Sequence, residues 1–169
     1  MGEIIDSCLS SQQKMVITNL ILEQCRKYRT WEKSEIRKTL FADEYKKRHK
    51  SYDINWAIFS VFLTGTECVP GLKNRTVEYG YYPRPELFND NVIIHISNKT
   101  VKPDTNYRRE YYKFNTDLNK KPRYVYIVYD VNKESFLNKL TICLPDAHGV
   151  IFEEETLYRH IVSSLAVVS

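Results

Sequence analysis

"RYVYIVYD", residues 123–130, is the clearest strand in the chain, because β-branched and aromatic residues fill it. Strand alternation sends Val125 and Ile127 to one face and Tyr124 and Tyr126 to the other. The aliphatic pair predicts the core side. The two tyrosines are then either rings on an outer face or half-buried phenols, and the hypotheses about function depend on this choice.

Segments on both sides of this strand also have strand character. Residues 91–98 are rich in β-formers, and we expect residues 108–115 to pair with them as a hairpin across the loop at Pro103. Pro83 and Pro85 predict an extended edge segment, because proline cannot donate to a strand ladder. Residues 138–146 predict another strand, and a turn at 146–149 leads to a short one at 150–152. Together they predict an antiparallel sheet.

The first 65 residues have helical periodicity instead. We expect a helix over residues 11–28 with a serine cap, and a second one over 31–45, capped by Thr30 and with Trp31 in its buried stripe. The basic run 46–50 is interpreted as a polar connector or a frayed helix end, followed by a third helix that ends at Gly65. A terminal helix is predicted over residues 154–168.

The predicted fold class is therefore α+β: an N-terminal three-helix region, an antiparallel β-sheet and a C-terminal helix. The expected organisation is a helical subdomain, residues 1–65, packed on a sheet and terminal helix, residues 66–169. Three helices before a hairpin is also the order of winged-helix DNA-binding domains. However, most positions of the third helix after Asn55 are apolar, which favours a core helix over one that contacts bases.

The net charge of +4 is unevenly distributed. Residues 26–50 carry +6 and residues 106–129 carry +4, whereas residues 1–25 carry −2 and residues 130–169 carry −3. Two basic blocks that meet in space form a phosphate-binding face, and two separate ones are ordinary solvated surface. Their mixture of tyrosine with lysine and arginine suits base stacking and phosphate contact, but also a protein interface or an unremarkable sheet.

Twelve residues are the candidates for contact with nucleic acid or a protein partner. They are Lys46, Lys47, Arg48, Lys50, Arg108, Arg109, Tyr111, Lys113, Lys120, Lys121, Tyr124 and Tyr126.

Catalytic patterns are weak. The sequence has no phosphate-binding glycine motif, and its histidines and cysteines lack the spacing of a zinc site, so we expect no cofactor and no metal. A Cys143–His148 pair is conceivable, but Asp146 and Gly149 make a simple turn the better interpretation. A divergent nuclease would have to use carboxylates such as Asp130, Asp146 and Glu153.

The leading hypothesis is a non-catalytic protein that binds nucleic acid, or a nucleoprotein enzyme, through a basic and tyrosine-rich face. The first alternative is an inhibitor encoded by a phage or other mobile element, of the anti-restriction or anti-CRISPR type, which contacts a nucleic-acid-handling protein. The second alternative is the divergent nuclease. Four scattered cysteines and the absence of a long apolar run predict a cytoplasmic protein that contacts no membrane. The oligomeric state stays open.

Overall fold

The structure, a computed structural model, describes residues 3–34, 43–63, 67–79, 82–98, 115, 117 and 120–161. These residues form three helices and six strands. The helices are α1 (Glu3–Cys8), α2 (Ser11–Glu32) and α3 (Asp43–Phe62). The strands are β1 (Lys73–Tyr79), β2 (Tyr82–Phe88), β3 (Val92–Asn98), β4 (Arg123–Val131), β5 (Leu137–Pro145) and β6 (Ile151–Arg159).

The six strands form one mixed sheet in the order β1-β2-β3-β4-β5-β6. The predicted all-antiparallel sheet is wrong, because β3 and β4 are parallel, with Ile94 opposite Val125 and Ile96 opposite Ile127. A parallel pair needs a connection of about a dozen residues or more. Residues 99–122 supply it, and β3 pairs with β4 on one side and with β2 on the other. Residues 108–114 of the expected hairpin strand lie outside the described residues.

The two prolines of β2 are accommodated by a short ladder. β2 pairs with β1 along its whole length, but with β3 only from Glu86 to Phe88. Pro83 and Pro85 precede this ladder, so no carbonyl of β3 depends on the N–H donors that the two prolines lack. The predicted edge segment is thus the second strand of the sheet, with β1 as its outer neighbour.

The helices begin and end differently from the prediction. The start of α2 is confirmed: Ser10 accepts a hydrogen bond from the Gln13 amide, and Gln13 completes a capping box. However, Thr30 is no cap, because α2 continues through Thr30 to Glu32. The basic run 46–50 is not a connector either, since α3 begins at Asp43 and includes it. Residues 35–42 of the predicted second helix lie outside the described residues.

The predicted C-terminal helix is wrong over residues 154–159, which belong to β6, and its remainder from residue 162 lies outside the described residues. Helix propensity is a weak preference that tertiary pairing overrides. β5 offers β6 a ladder of backbone partners. Alternation then directs Glu153 and Glu155 towards the helices, where Glu153 accepts hydrogen bonds from the Ile4 and Ile5 amides.

One face of the sheet carries the main core. It packs on all three described helices, through side chains such as Ile5, Ile17, Ile21, Ile58 and Phe62. Because α3 contributes core residues from Ile54 to Phe62, the interpretation as a core helix is supported. Helices stacked on one face of a six-stranded sheet also differ from the winged-helix arrangement. The opposite face holds a smaller cluster of Tyr124, Tyr126 and Cys143.

Candidate nucleic-acid interface

The direction of α3 determines where its basic residues lie. Its Asn55 side chain receives a hydrogen bond from the Tyr129 hydroxyl, near the end of β4. At its other end, the Phe62 carbonyl accepts a hydrogen bond of 3.1 Å from Asn74 at the start of β1. α3 therefore runs opposite to β4, and its first turns extend beyond the end of the sheet where β4 turns into β5.

The described parts of the two basic blocks consequently lie at opposite ends of the fold. Lys46, Lys47, Arg48 and Lys50 occupy the first turns of α3, whereas the exposed Lys120 and Lys121 precede the start of β4. From Arg123 to Tyr129, β4 spans roughly 20 Å. The part of α3 from Asn55 back to Lys50 adds roughly 7 Å. These residues do not form the single basic face that the leading hypothesis requires.

The two tyrosines of β4 are buried, which corrects their interpretation as an exposed stacking surface. Tyr124 is 1% exposed and Tyr126 is 5% exposed. The Tyr126 ring stacks on His95, with ring centroids 5.7 Å apart and planes at 2°. The predicted alternation is right, since Val125 and Ile127 lie in the main core. Alternation, however, identifies the residues that share a face and not what covers that face.

The other candidates of the second block, Arg108, Arg109, Tyr111 and Lys113, lie outside the described residues. Asn115, just after them, is buried and connects two strands. Its amide nitrogen donates to the carbonyls of Tyr124 at 3.0 Å and Pro145 at 2.7 Å. The chain is thus anchored at Asn115 across the start of β4 and the end of β5.

The end where α2 ends, α3 begins and β4 turns into β5 combines charge with exposed aromatic rings. We call it the basic end. Trp31 is 39% exposed and Phe136 is 42% exposed. The Arg29 guanidinium lies 4.0 Å from the centre of the Phe136 ring and donates to the Ser135 carbonyl at 2.9 Å. An Arg side chain thus holds the turn after β4 against α2.

Trp31 was predicted to be buried, and the structure corrects this. The buried residues of α2 are Lys14, Ile17, Ile21, Cys25 and Tyr28. Trp31 belongs to the last turn of α2 and stays half exposed, with its ring centre 5.7 Å from that of Tyr28. The sequence predicted a new helix that begins at Trp31, whereas Trp31 lies in the last turn of α2.

A groove of about 350 Å³ lies between α2 and α3 at the basic end. It is lined by Gln24, Lys27, Tyr28, Trp31, Asp53, Ala57 and Ser60. The Gln24 side chain donates to the Ala57 carbonyl, which ties the two helices together along the groove. Lys27 and Trp31 are four residues apart on one helix face, so a cation and an exposed ring share this groove.

Basic side chains outnumber acidic ones among the described residues of this end. The basic set is Arg26, Lys27, Arg29, Lys33, Lys133 and Arg159, and the acidic set is Glu23, Glu32, Asp53 and Glu134. Asp130 lies opposite Lys139 and adds no net charge. Six basic side chains against four acidic ones make the local charge positive.

The carboxylates considered for nuclease chemistry are not brought together. Asp130 is near the end of β4, Asp146 follows β5 at the opposite end of the sheet, and Glu153 contacts α1. Hydrogen bonds from the backbone amides of Val150 and, with a smaller effect, His148 lower the pKa of Asp146, which therefore acts as a turn acceptor. In the described part of the chain, no three His, Cys, Asp or Glu residues are placed to hold a metal ion.

The Cys143 thiol is also poorly suited to nucleophilic chemistry. It is buried, and burial raises its pKa to about 11. Because the thiolate is the reactive form, Cys143 stays protonated at neutral pH. His148 is exposed in the turn after β5, where its amide donates to Asp146. The turn interpretation of residues 146–149 is therefore supported.

None of the helices within the described ranges has both the length and the apolar character needed to cross a bilayer. Comparison of the chain with protein-family models, curated proteins and solved structures finds no match.

Proposed function

We propose that this protein binds single-stranded nucleic acid through the basic end, in the cytoplasm and without catalysing a reaction. Lysine and arginine side chains contact phosphates, which requires charge and reach but no base recognition. An exposed ring stacks on a base, which an unpaired strand permits. The first basic block of the sequence supplies the cations, and α2 rather than β4 supplies the aromatic ring.

The observation that carries the proposal is that Lys27 and Trp31 line the same groove. Its volume of about 350 Å³ is within the range of small-ligand sites and accommodates a base. Trp31 offers a stacking surface there, and Lys27 offers a cation to the adjoining phosphate. The exposed Lys33 extends the charge beyond Trp31.

The first test is fluorescence anisotropy of a labelled thymidine 20-mer and of a duplex of equal length, at roughly 50 and 200 mM salt. We expect the single strand to bind more tightly and its affinity to fall steeply with salt. Trp31→Ala should weaken binding by about tenfold, because stacking contributes about 1–3 kcal/mol per base. Trp56→Ala is the control, since Trp56 is similarly exposed but does not line the groove.

A charge-reversal pair tests which end of the fold binds. Lys27→Glu changes the charge in the groove, and Lys121→Glu makes the same change at the opposite end of the sheet. We expect only Lys27→Glu to weaken binding. A loss with Lys121→Glu alone would move the site to the second basic block, and no binding at low salt would reject the proposal.

A protein partner is the second candidate, and the exposed Trp31 and Phe136 beside Arg29 favour it, because these residue types are enriched at interfaces. The inhibitor alternative predicts salt-resistant binding to a nucleic-acid-handling protein and none to the 20-mer. The nuclease alternative predicts that the labelled strand is cleaved when Mg²⁺ or Mn²⁺ is added to the same assay.

A further inference from the structure

A second groove, of about 390 Å³, lies on the other side of α2, between this helix and β6. The lining side chains of the helices are Asp6, Ser11, Lys14, Met15, Thr18 and Asn19. Those of β6 are Glu155, Thr156 and Leu157. Neither the sheet ladder nor the groove at the basic end uses this surface.

The strand that borders this groove is at the edge of the sheet. β6 pairs with β5, and the described residues place no strand on its other side. An edge strand presents backbone N–H and C=O groups that another extended chain can pair with. The ladder with β5 is regular from Glu153 to Thr156 and shifts register on both sides, so the straight part of the edge is short.

The helical wall of the groove offers an adaptable apolar contact. Ser11, Met15 and Thr18 follow one another at helical spacing, so they lie on one face of α2. Met15 is 58% exposed in the middle of this row, opposite the half-buried Leu157 of β6. Methionine adjusts its shape to different partners, which suits a contact with one apolar side chain of an added strand.

The charge around the groove is negative although the whole chain is positive. Lys14 pairs with Asp6 and, at 2.8 Å, with Glu155. Glu153 lies on the same face of β6 as Glu155, where it accepts hydrogen bonds from the Ile4 and Ile5 amides. These three carboxylates outnumber the single lysine, because the fold brings together the acidic N-terminal and C-terminal segments of the sequence. A cationic partner is complementary to this surface.

From the open edge, the apolar wall and the negative charge, we infer that this groove binds an extended basic peptide of a partner protein. The peptide adds to β6 as a further strand over Glu153 to Thr156, directs one apolar side chain at Met15, and places a lysine or arginine beside Asp6 and Glu155. This is recognition by strand addition, in which the backbone supplies affinity and alternate side chains supply specificity.

The test begins with random ten-residue peptides displayed on phage and selected on the full-length protein. We expect selected peptides to carry an apolar residue and a lysine or arginine two positions apart, because residues i and i+2 of a strand share a face and can both point into the groove. Binding of the synthetic peptides is then measured by fluorescence polarisation. Met15→Arg should weaken it about tenfold, whereas Gln12→Arg, at another exposed position of α2 outside the groove, should not. Asp6→Lys, at an exposed residue that lines the groove, should weaken it, and Glu134→Lys, a charge reversal at the basic end, should not.

Hydrogen exchange distinguishes strand addition from side-chain docking, because only the former slows exchange of amides between residues 153 and 156. The inference would be overturned if the selected peptides lacked a basic residue. It would also be overturned if the peptides bound Met15→Arg as tightly as the native chain. A concentration-dependent dimer in sedimentation that Met15→Arg converts to monomer would overturn it as well, since the occupant would then be a second copy. The result is independent of the proposed nucleic-acid binding, because Met15 and Trp31 lie on different sides of α2.

Discussion

The Asn115 side chain hydrogen-bonds both backbone polar groups of Tyr124. Asn115 Oδ1 accepts from the Tyr124 amide at 2.9 Å, and Asn115 Nδ2 donates to the Tyr124 carbonyl at 3.0 Å. The regular ladder between β4 and β5 begins at Tyr126 and Cys143. At Tyr124 and Pro145, before this ladder begins, the Asn115 side chain links the two strands, because it also donates a hydrogen bond to the Pro145 carbonyl. The buried Asn115 carboxamide thus extends the link between β4 and β5 to Tyr124 and Pro145.

Asn115→Ala is therefore expected to destabilise the protein by about 3 kcal/mol, because three buried backbone groups lose their partner. Asn115→Asp keeps the acceptor for the Tyr124 amide and loses the donor, so its effect should also be destabilising. Urea unfolding monitored by circular dichroism measures both. Lys121→Ala, at an exposed site close in sequence, is the control, and an equal effect there would contradict the bridging role.

Glu153→Ala should lower the free energy of unfolding by about 1–2 kcal/mol, since the amides of Ile4 and Ile5 lose the carboxylate that accepts from them. Glu154→Ala is the matched control, because its side chain is exposed and the expected change is below about 0.5 kcal/mol. If residues 151–159 formed a helix, Glu153 would have no special role and the two variants would behave alike.

The turn at Asp146 should contribute a pH-dependent increment of stability. Its pKa is lowered below the ordinary value of 3.8, mainly by the hydrogen bond from the Val150 amide. A lowered pKa in the folded state means that the ionised form stabilises the fold above the unfolded-state pKa, and that this gain disappears as the pH falls through the folded-state pKa. The stability advantage of the native chain over Asp146→Asn should therefore be larger at neutral pH than in strong acid.

Thermal unfolding of both proteins across this pH range checks the prediction. Glu134→Gln serves as the control for general acid effects, because it removes an exposed carboxylate far from the turn. An advantage of Asp146 that stays constant from neutral pH into strong acid would show that the turn does not depend on its charge.

The four free thiols should differ in reactivity. Burial raises the pKa of Cys8, and it raises the pKa of Cys25 and Cys143 to about 11, whereas Cys68 is half exposed. Iodoacetamide at about pH 8 should modify Cys68 first, and the others only after unfolding, because the thiolate is the reactive form. Mass spectrometry of the native protein measures this order, and early modification of Cys143 would contradict its burial.

Some features of this protein follow from its local sequence. Ser10 and Gln13 form a capping box within four residues, so the start of α2 was predictable. Val125 and Ile127 share a face in any strand, and they do lie in the core. The uneven distribution of charge was also visible, and it correctly separated a basic block before residue 50 from acidic segments near both ends.

The tertiary structure decided the features on which the site depends. Tyr124 and Tyr126 are buried because other groups cover their face of the sheet, which alternation does not reveal. Residues 151–159 form a strand because β5 offers them a ladder that outweighs their helix propensity. The described parts of the two basic blocks lie apart because α3 runs opposite to β4. The physical reason is the same in each case: periodicity and capping act over a few neighbouring residues, whereas burial, strand partners and helix direction are set by contacts between segments distant in sequence.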